Sequence, residues 1–557
     1  MDDVESVVSL TTDDEDCALS KENTLSEEDL TQDYSTPYSI SSESLENWSI
    51  VCAETATYTA PPESRIDPSR MLGRQTTDAL HADPHDNYYE NYAVKFINFM
   101  NENPTTYHTI SHFKSVLGNE GFQWLPQSVP IEKLAPGFYY TNRSDQCLIA
   151  FVIGGKWKPE NGSCFVGCHC DALSVKLNPK GLLREKVKGY ELLGVVPYSG
   201  SLNKNWLNRE FSLAGAVLIR DSKTGKVSRK LINSYPKPIA FVPESGFAGD
   251  DKQYNIQTQA VPICSYMSVE LEPTEEEKQS KFYKRHPLSL LRYICQLSGV
   301  TLESIVDIDL DLVDAHPSCR GGLENEFIYL ASLDDRLCAF DSIYGLLEFS
   351  QQFLNGASID DYDGLSGVYL ANNEEIGSLT STGAFGGFLI DNLKSLVSGK
   401  CNGQHIEEKT ARLIKNTVLL SSDVTHAFNP NFREVYLKRN YPLPNVGPSI
   451  KFDSNGHVLS DSLGKEFLDR VVKDLLGIRL QEFHIRNDSR SGGTIGPIMS
   501  DARRGLNGAK LIIDVGMPIL SMHSIRSVMG YKDVGIGVLF FKEVFLKWKD
   551  ALDGMKI

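Results

Sequence analysis

Apolar positions take on a regular period only from about Asn87 onward. Tyr92, Val94, Phe96, Ile97, Phe99 and Met100 recur at helical spacing up to Asn103-Pro104, and Tyr107, Ile110 and Phe113 predict a second helix over 105–117. Short unbroken apolar runs at 147–153 and 163–167 predict buried strands. Further on, the pattern predicts a helix over 337–354, strands at 365–370 and 418–421, a helix over 466–476 and a strand at 509–515. Such alternation specifies an α/β layered sheet. Residues 176–315 break the rhythm with short strands and turn signals at Ser199-Gly200-Ser201, Pro236-Lys237-Pro238 and Glu272-Pro273-Thr274. We expect a smaller β-rich domain inserted there. The predicted organisation is therefore an N-terminal tail over 1–85, a catalytic domain in two parts, 86–175 and 316–557, and the insertion over 176–315.

The chain has 557 residues and a formal charge of −18. Residues 1–64 hold sixteen acidic residues and one lysine, a net of −15, which leaves only −3 for the remainder. A nearly neutral body argues against a nucleic-acid surface. The tail is acidic, rich in Ser and Thr and without sustained period, so it is expected to be disordered. Within it, Trp48 and Val51, three apart and preceded by acids, could dock as an extended peptide against a sheet edge. No apolar run approaches the ~20 residues of a membrane span. The N-terminus lacks a secretory signal pattern, so synthesis in the cytoplasm is expected. The eleven cysteines are scattered and outline neither a disulfide framework nor a CxxC zinc site.

The chemistry-bearing residues follow strand-like runs. After Tyr369-Leu370-Ala371 come Asn372-Asn373-Glu374-Glu375, two adjacent carboxylates that a bound cation would hold together, leaving one free to act as a base. His169-Cys170-Asp171 ends another run, and a carboxylate beside an imidazole commonly orients it for a metal. Asp334, in Leu333-Asp334-Asp335-Arg336, could bridge two ions or simply cap the helix that follows. Asp423 and His426 follow the run ending at Leu420, and His523 follows Asp514-Val515-Gly516. Open α/β sheets place ligands at such strand ends. Histidine and carboxylate donors without cysteine suit zinc with positions left for water and substrate. The glycine-rich Ser491-Gly492-Gly493-Thr494-Ile495-Gly496-Pro497 lacks the lysine of a nucleotide-binding loop and suits close backbone approach to a substrate.

Taken together, these motifs resemble the M18 family of metallo-aminopeptidases, and its vacuolar branch most. The resemblance runs from about Asn87 to the C-terminus. It rests on Asn103-Pro104-Thr105-Thr106-Tyr107-His108, His169-Cys170-Asp171-Ala172-Leu173, Leu333-Asp334-Asp335-Arg336-Leu337-Cys338, Asn373-Glu374-Glu375-Ile376-Gly377-Ser378, Asn429-Pro430-Asn431-Phe432 and the glycine-rich segment. It implies two zinc ions per subunit, one held by His169 and Asp423, the other by Glu375 and His523, with Asp334 between them. Glu374 would be the general base, Asp171 would orient His169, and His426 would lie near the substrate. It implies an α/β layered catalytic domain, an inserted dimerisation domain and a homo-oligomer, a dodecamer. Asn372, Ser332 and Asn208 depart from the family's usual residues without removing an implied ligand.

The expected function is zinc-dependent release of N-terminal residues from peptides in the vacuole, reached from the cytoplasm by selective autophagy. The Trp48 and Val51 side chains would then bind an autophagosomal ubiquitin-like protein or an autophagy receptor. The competing expectations are a weakened relative serving as an assembly or autophagy scaffold, and a cytoplasmic aspartyl aminopeptidase.

Overall fold

The computed structural model describes residues 86–127, 134–244, 254–267, 270–489, 491–503 and 505–555. The tail with Trp48 and Val51 lies outside the described residues. Nine strands among these form a mixed sheet whose centre is four parallel strands, Leu365–Ala371, Cys164–His169, Val418–Ser422 and Leu511–Gly516, in that spatial order. Antiparallel Cys147–Ile153 flanks one side and antiparallel Ser449–Phe452 the other.

The period of two explains why these strands read as unbroken apolar runs. In Cys147–Ile153, Leu148, Ala150 and Val152 face one core, while Ile149, Phe151 and Ile153 face another. The first core is closed by helices Asp86–Glu102, Leu333–Leu354, Ser462–Val472 and Asp533–Leu552, the second by Phe388–Lys400 and Ile406–Lys415. Aromatic rings concentrate in the first. Phe340 lies 5.1 Å from Phe96, 5.3 Å from Phe99 and 4.2 Å from Tyr344, ring centre to ring centre.

A second sheet of eight described strands runs from Ser174–Leu177 to Ile305–Asp314, with the long pair Arg209–Arg220 and Ile305–Asp314 at its middle. It has its own apolar core, covered partly by the helix Leu288–Ser298 through Leu290, Leu291 and Ile294. A small third sheet comprises Cys319–Gly321, Phe327–Ala331, Arg526–Gly530, Pro518–Leu520 and Thr425–His426.

Several element boundaries differ from the sequence reading. The strand expected at 163–167 continues to His169, because Ala371 pairs with His169 at its end. The helix expected over 466–476 spans Ser462–Val472, since the Asp461 side chain accepts a hydrogen bond from the Gly464 amide and starts it earlier. Among the described residues no helix is long and apolar enough to cross a membrane.

Candidate metal centre

The parallel strands end on the same side of the sheet, and four of the predicted residues lie there: His169 closes one strand, Glu374 and Glu375 follow another, and Asp423 follows a third. The third sheet supplies the others. Phe327–Ala331 leads into Asp334, the turn between Pro518–Leu520 and Arg526–Gly530 carries His523, and Thr425–His426 carries His426. Ser332, Asn373 and His523 all adopt left-handed backbone, with φ of 56°, 61° and 63°. Such conformations persist where surrounding structure enforces them, commonly at functional sites.

Asp334 is the centre of the cluster. Its Oδ1 lies 3.2 Å from His169 Nε2 and its Oδ2 3.1 Å from His523 Nε2. Among the described residues its carboxylate faces the two imidazoles rather than a backbone amide of the helix, and its own backbone is non-helical, at φ −79° and ψ 117°. The capping alternative is thus not what its side chain does. His169 Nε2 also lies 3.9 Å from Glu374 Oε2, and His523 Nε2 lies 3.9 Å from Glu375 Oε2.

Asp171 fixes the other side of the imidazole and the glutamate turn together. Its backbone oxygen lies 3.1 Å from His169 Nδ1, with Oδ1 3.4 Å from the same nitrogen; Oδ1 accepts the Glu374 amide at 3.1 Å and Oδ2 the Glu375 amide at 3.2 Å. Two adjacent glutamates are thereby pinned through their backbone, leaving both carboxylates directed by the turn rather than by each other.

The charges show what the cluster demands. Burial opposes a charge on His169, but hydrogen bonds to Asp171 and Asp334 outweigh it and hold the imidazolium well above its usual range. Burial likewise opposes ionisation of Asp334, and the two imidazoles overcome it, holding that carboxyl far below its usual range. Glu375, desolvated and facing Asp334, is pushed up to about 10, and Asp423, desolvated with Lys451 only partly compensating, to about 7. Glu374 is raised by burial against the opposing pull of His169. Glu375 Oε1 is buried and has no hydrogen-bond partner among the described residues. Crowded carboxylates with an orphaned buried oxygen, beside two imidazoles, fit a divalent cation, and the oxygen and nitrogen donors suit zinc.

Two groups of donor atoms, each mutually within 4.8 Å, stand out: His169, Asp334 and Glu375, and His169, Asp335 and Asp423. Asp335 was given no role in the sequence reading. It is fully buried beside Cys338, and neither of its carboxylate oxygens has a nitrogen or oxygen partner among the described residues. Its signal was the same as that of the glutamate pair, two adjacent acids after a strand. Lys451 was also missed; it is buried with its Nζ 3.9 Å from Asp423 Oδ2, and nothing local distinguishes it from any strand lysine. His426 lies at the exposed rim, its ring 6.3 Å from that of Phe483.

Comparison with known proteins agrees with this architecture. The family model described as aminopeptidase I zinc metalloprotease (M18) matches residues 99–545. Vacuolar aminopeptidase 1 of Saccharomyces cerevisiae is 36% identical over 84% of this chain and 90% of its own length. Aspartyl aminopeptidase of Aspergillus oryzae is 31% identical over 82% of this chain and 96% of its own. The solved dodecamer of mApe1 from S. cerevisiae is 34% identical, covers 84% of this chain and 99% of that one, and superposes with a TM-score of 0.74.

Proposed function

The chain belongs to the M18 family of zinc aminopeptidases, and from that premise we propose that it hydrolyses the first peptide bond of peptides at the cluster around Asp334, using two zinc ions. The observation that carries this is the double engagement of Asp334, one oxygen toward each imidazole at 3.2 and 3.1 Å. His169 and Asp423 would hold one ion, Glu375 and His523 the other, and Asp334 both. Zinc, when bound, supplies Lewis-acid polarisation of the scissile carbonyl and of the attacking water. Asp171 keeps the His169 ring in register by receiving its Nδ1 side. Glu374 does the proton work: its raised pKa, half-buried position and backbone anchor suit it to take a proton from the attacking water and return it to the departing amine. The surrounding carboxylates favour a free α-ammonium, which restricts cleavage to the chain's first residue.

For the nature of that residue, the relative named aspartyl aminopeptidase supports an acidic side chain as one candidate, and comparing Asp-leading with Leu-leading peptides decides it. A homo-oligomer is supported by the solved dodecamer and action in the vacuole by the vacuolar relative; assembly partly through the second sheet and delivery from the cytoplasm belong to the same proposal. The decisive test is zinc content and release of N-terminal residues by the purified protein. Two zincs bound with cleavage of first residues support the proposal; two bound with no cleavage of acidic or neutral leading residues point to the scaffold.

A further inference from the structure

Resting on the zinc aminopeptidase reading, we propose that Tyr198 is a positioning residue for the metal centre, acting from the second sheet through Asp171. Tyr198 ends the strand Val195–Tyr198, which pairs with Ser174–Leu177. Its hydroxyl donates to Asp171 Oδ2 at 2.8 Å and accepts from Asn373 Nδ2 at 2.9 Å. Asn373 is the left-handed residue that turns the chain into Glu374, and its own Oδ1 accepts from Thr380 Oγ1 at 2.9 Å and Thr382 Oγ1 at 3.3 Å. A single hydroxyl therefore links the carboxylate that stands beside His169 Nδ1, at 3.4 Å, to the residue that aims the glutamates.

The arrangement explains how Asp171 can serve three masters. It receives two backbone amides and faces an imidazole, and a carboxylate with four lone-pair directions can rotate between such partners. The Tyr198 hydroxyl fills the remaining direction and fixes the plane, so that Oδ1 stays toward His169 and the Glu374 amide. Asn373 in turn fixes the hydroxyl's proton toward Asp171, because its amide occupies the acceptor side of the tyrosine oxygen. Groups standing behind metal ligands in this way commonly change metal affinity or turnover by about 10–100-fold when removed.

The experiment uses Tyr198→Phe in the full chain, which keeps the ring and removes only the hydroxyl. Zinc retention is measured against a competing chelator, kcat and KM on one peptide, and the melting temperature of the metal-free protein. We expect zinc affinity and kcat each to fall by about tenfold, with KM and the metal-free melting temperature unchanged. Asn373→Gly keeps the left-handed turn, and combined with Tyr198→Phe it should lose less than the product of the two single effects. Unchanged zinc affinity and kcat in Tyr198→Phe, with wild-type protein loaded and active, overturn the assignment alone. A fall in metal-free melting temperature that tracks the activity loss also overturns it, making the hydroxyl a contact of the fold. Wild-type protein that takes up no zinc or releases no first residue overturns the enzymatic reading itself, and the assignment with it.

Discussion

Gly516 lies so close to Asp423 that a Cβ added to it would fall 1.7 Å from the Asp423 carbonyl oxygen. Both residues stand at the ends of neighbouring parallel strands, where the Asp423 amide donates to the Val515 carbonyl at 3.1 Å. We expect Gly516→Ala to push the Asp423 backbone outward, weakening zinc binding at least about tenfold and costing stability in the range of about 1–3 kcal/mol. Zinc titration beside chemical denaturation checks both, and a variant equal to wild type in each would show that the strand ends yield freely.

Glu374→Gln and His523→Ala should separate proton transfer from metal holding. The first is expected to keep its zinc while turnover drops by about 100–10,000-fold; the second should lose zinc outright. Metal analysis after gel filtration, paired with peptide assays, reads the difference. A turnover in Glu374→Gln comparable to wild type would remove Glu374 as the base.

Asp335→Asn replaces a buried acid that has no nitrogen or oxygen partner by a neutral side chain of similar shape. The metal-free variant should melt no lower than wild type, because burial and Asp423 already oppose a charge there. Its zinc affinity should fall by about tenfold or more. Thermal melts with and without zinc supply both numbers, and an unaltered zinc shift would make Asp335 a bystander.

Metal-free protein should lose stability as pH rises from about 5 toward about 10. A carboxyl raised in the fold binds its proton more tightly folded than unfolded, so rising pH through that interval favours the unfolded chain. For Asp423 the interval runs from the usual 3.8 to about 7, and for Glu375 from 4.5 to about 10. His169, held high by Asp171 and Asp334, acts in the same direction, its contribution fading as pH climbs through its raised value. Depressed Asp334 acts oppositely, losing its contribution only in strong acid. Zinc should reverse the slope, since its ligands bind deprotonated. Melts across pH with chelator and with zinc check this; parallel profiles would contradict it.

In the helix core, Phe340→Ala should cost about 3–5 kcal/mol by leaving a cavity among Phe96, Phe99 and Tyr344. Denaturant unfolding of the metal-free chain measures it. A loss under about 1 kcal/mol would mean the helices close the gap.

What the sequence made legible follows from which interactions are local. Buried parallel strands leave unbroken apolar runs, so the strands carrying His169, Glu374 and Asp423 could be read from 163–167, 365–370 and 418–421. Strand ends then pointed to the side chains that the fold gathers around Asp334. The boundary of Ser462–Val472 was misplaced because a capping aspartate, Asp461, outweighs the apolar period in setting a helix start. Tyr198 and Lys451 were invisible for another reason: their partners, Asp171 and Asp423, lie far away along the chain or on another strand, and a tyrosine or lysine in a strand carries no mark of what faces it. Asp335 was visible but indistinguishable from a polar neighbour until its lack of partners was seen.

The chain leaves the nine-stranded sheet at His169 and enters the eight-stranded one at Ser174, with four residues between. So short a splice has no slack in which to absorb sliding of one sheet past the other. Replacing or excising the second sheet would therefore be felt first as a misaligned imidazole.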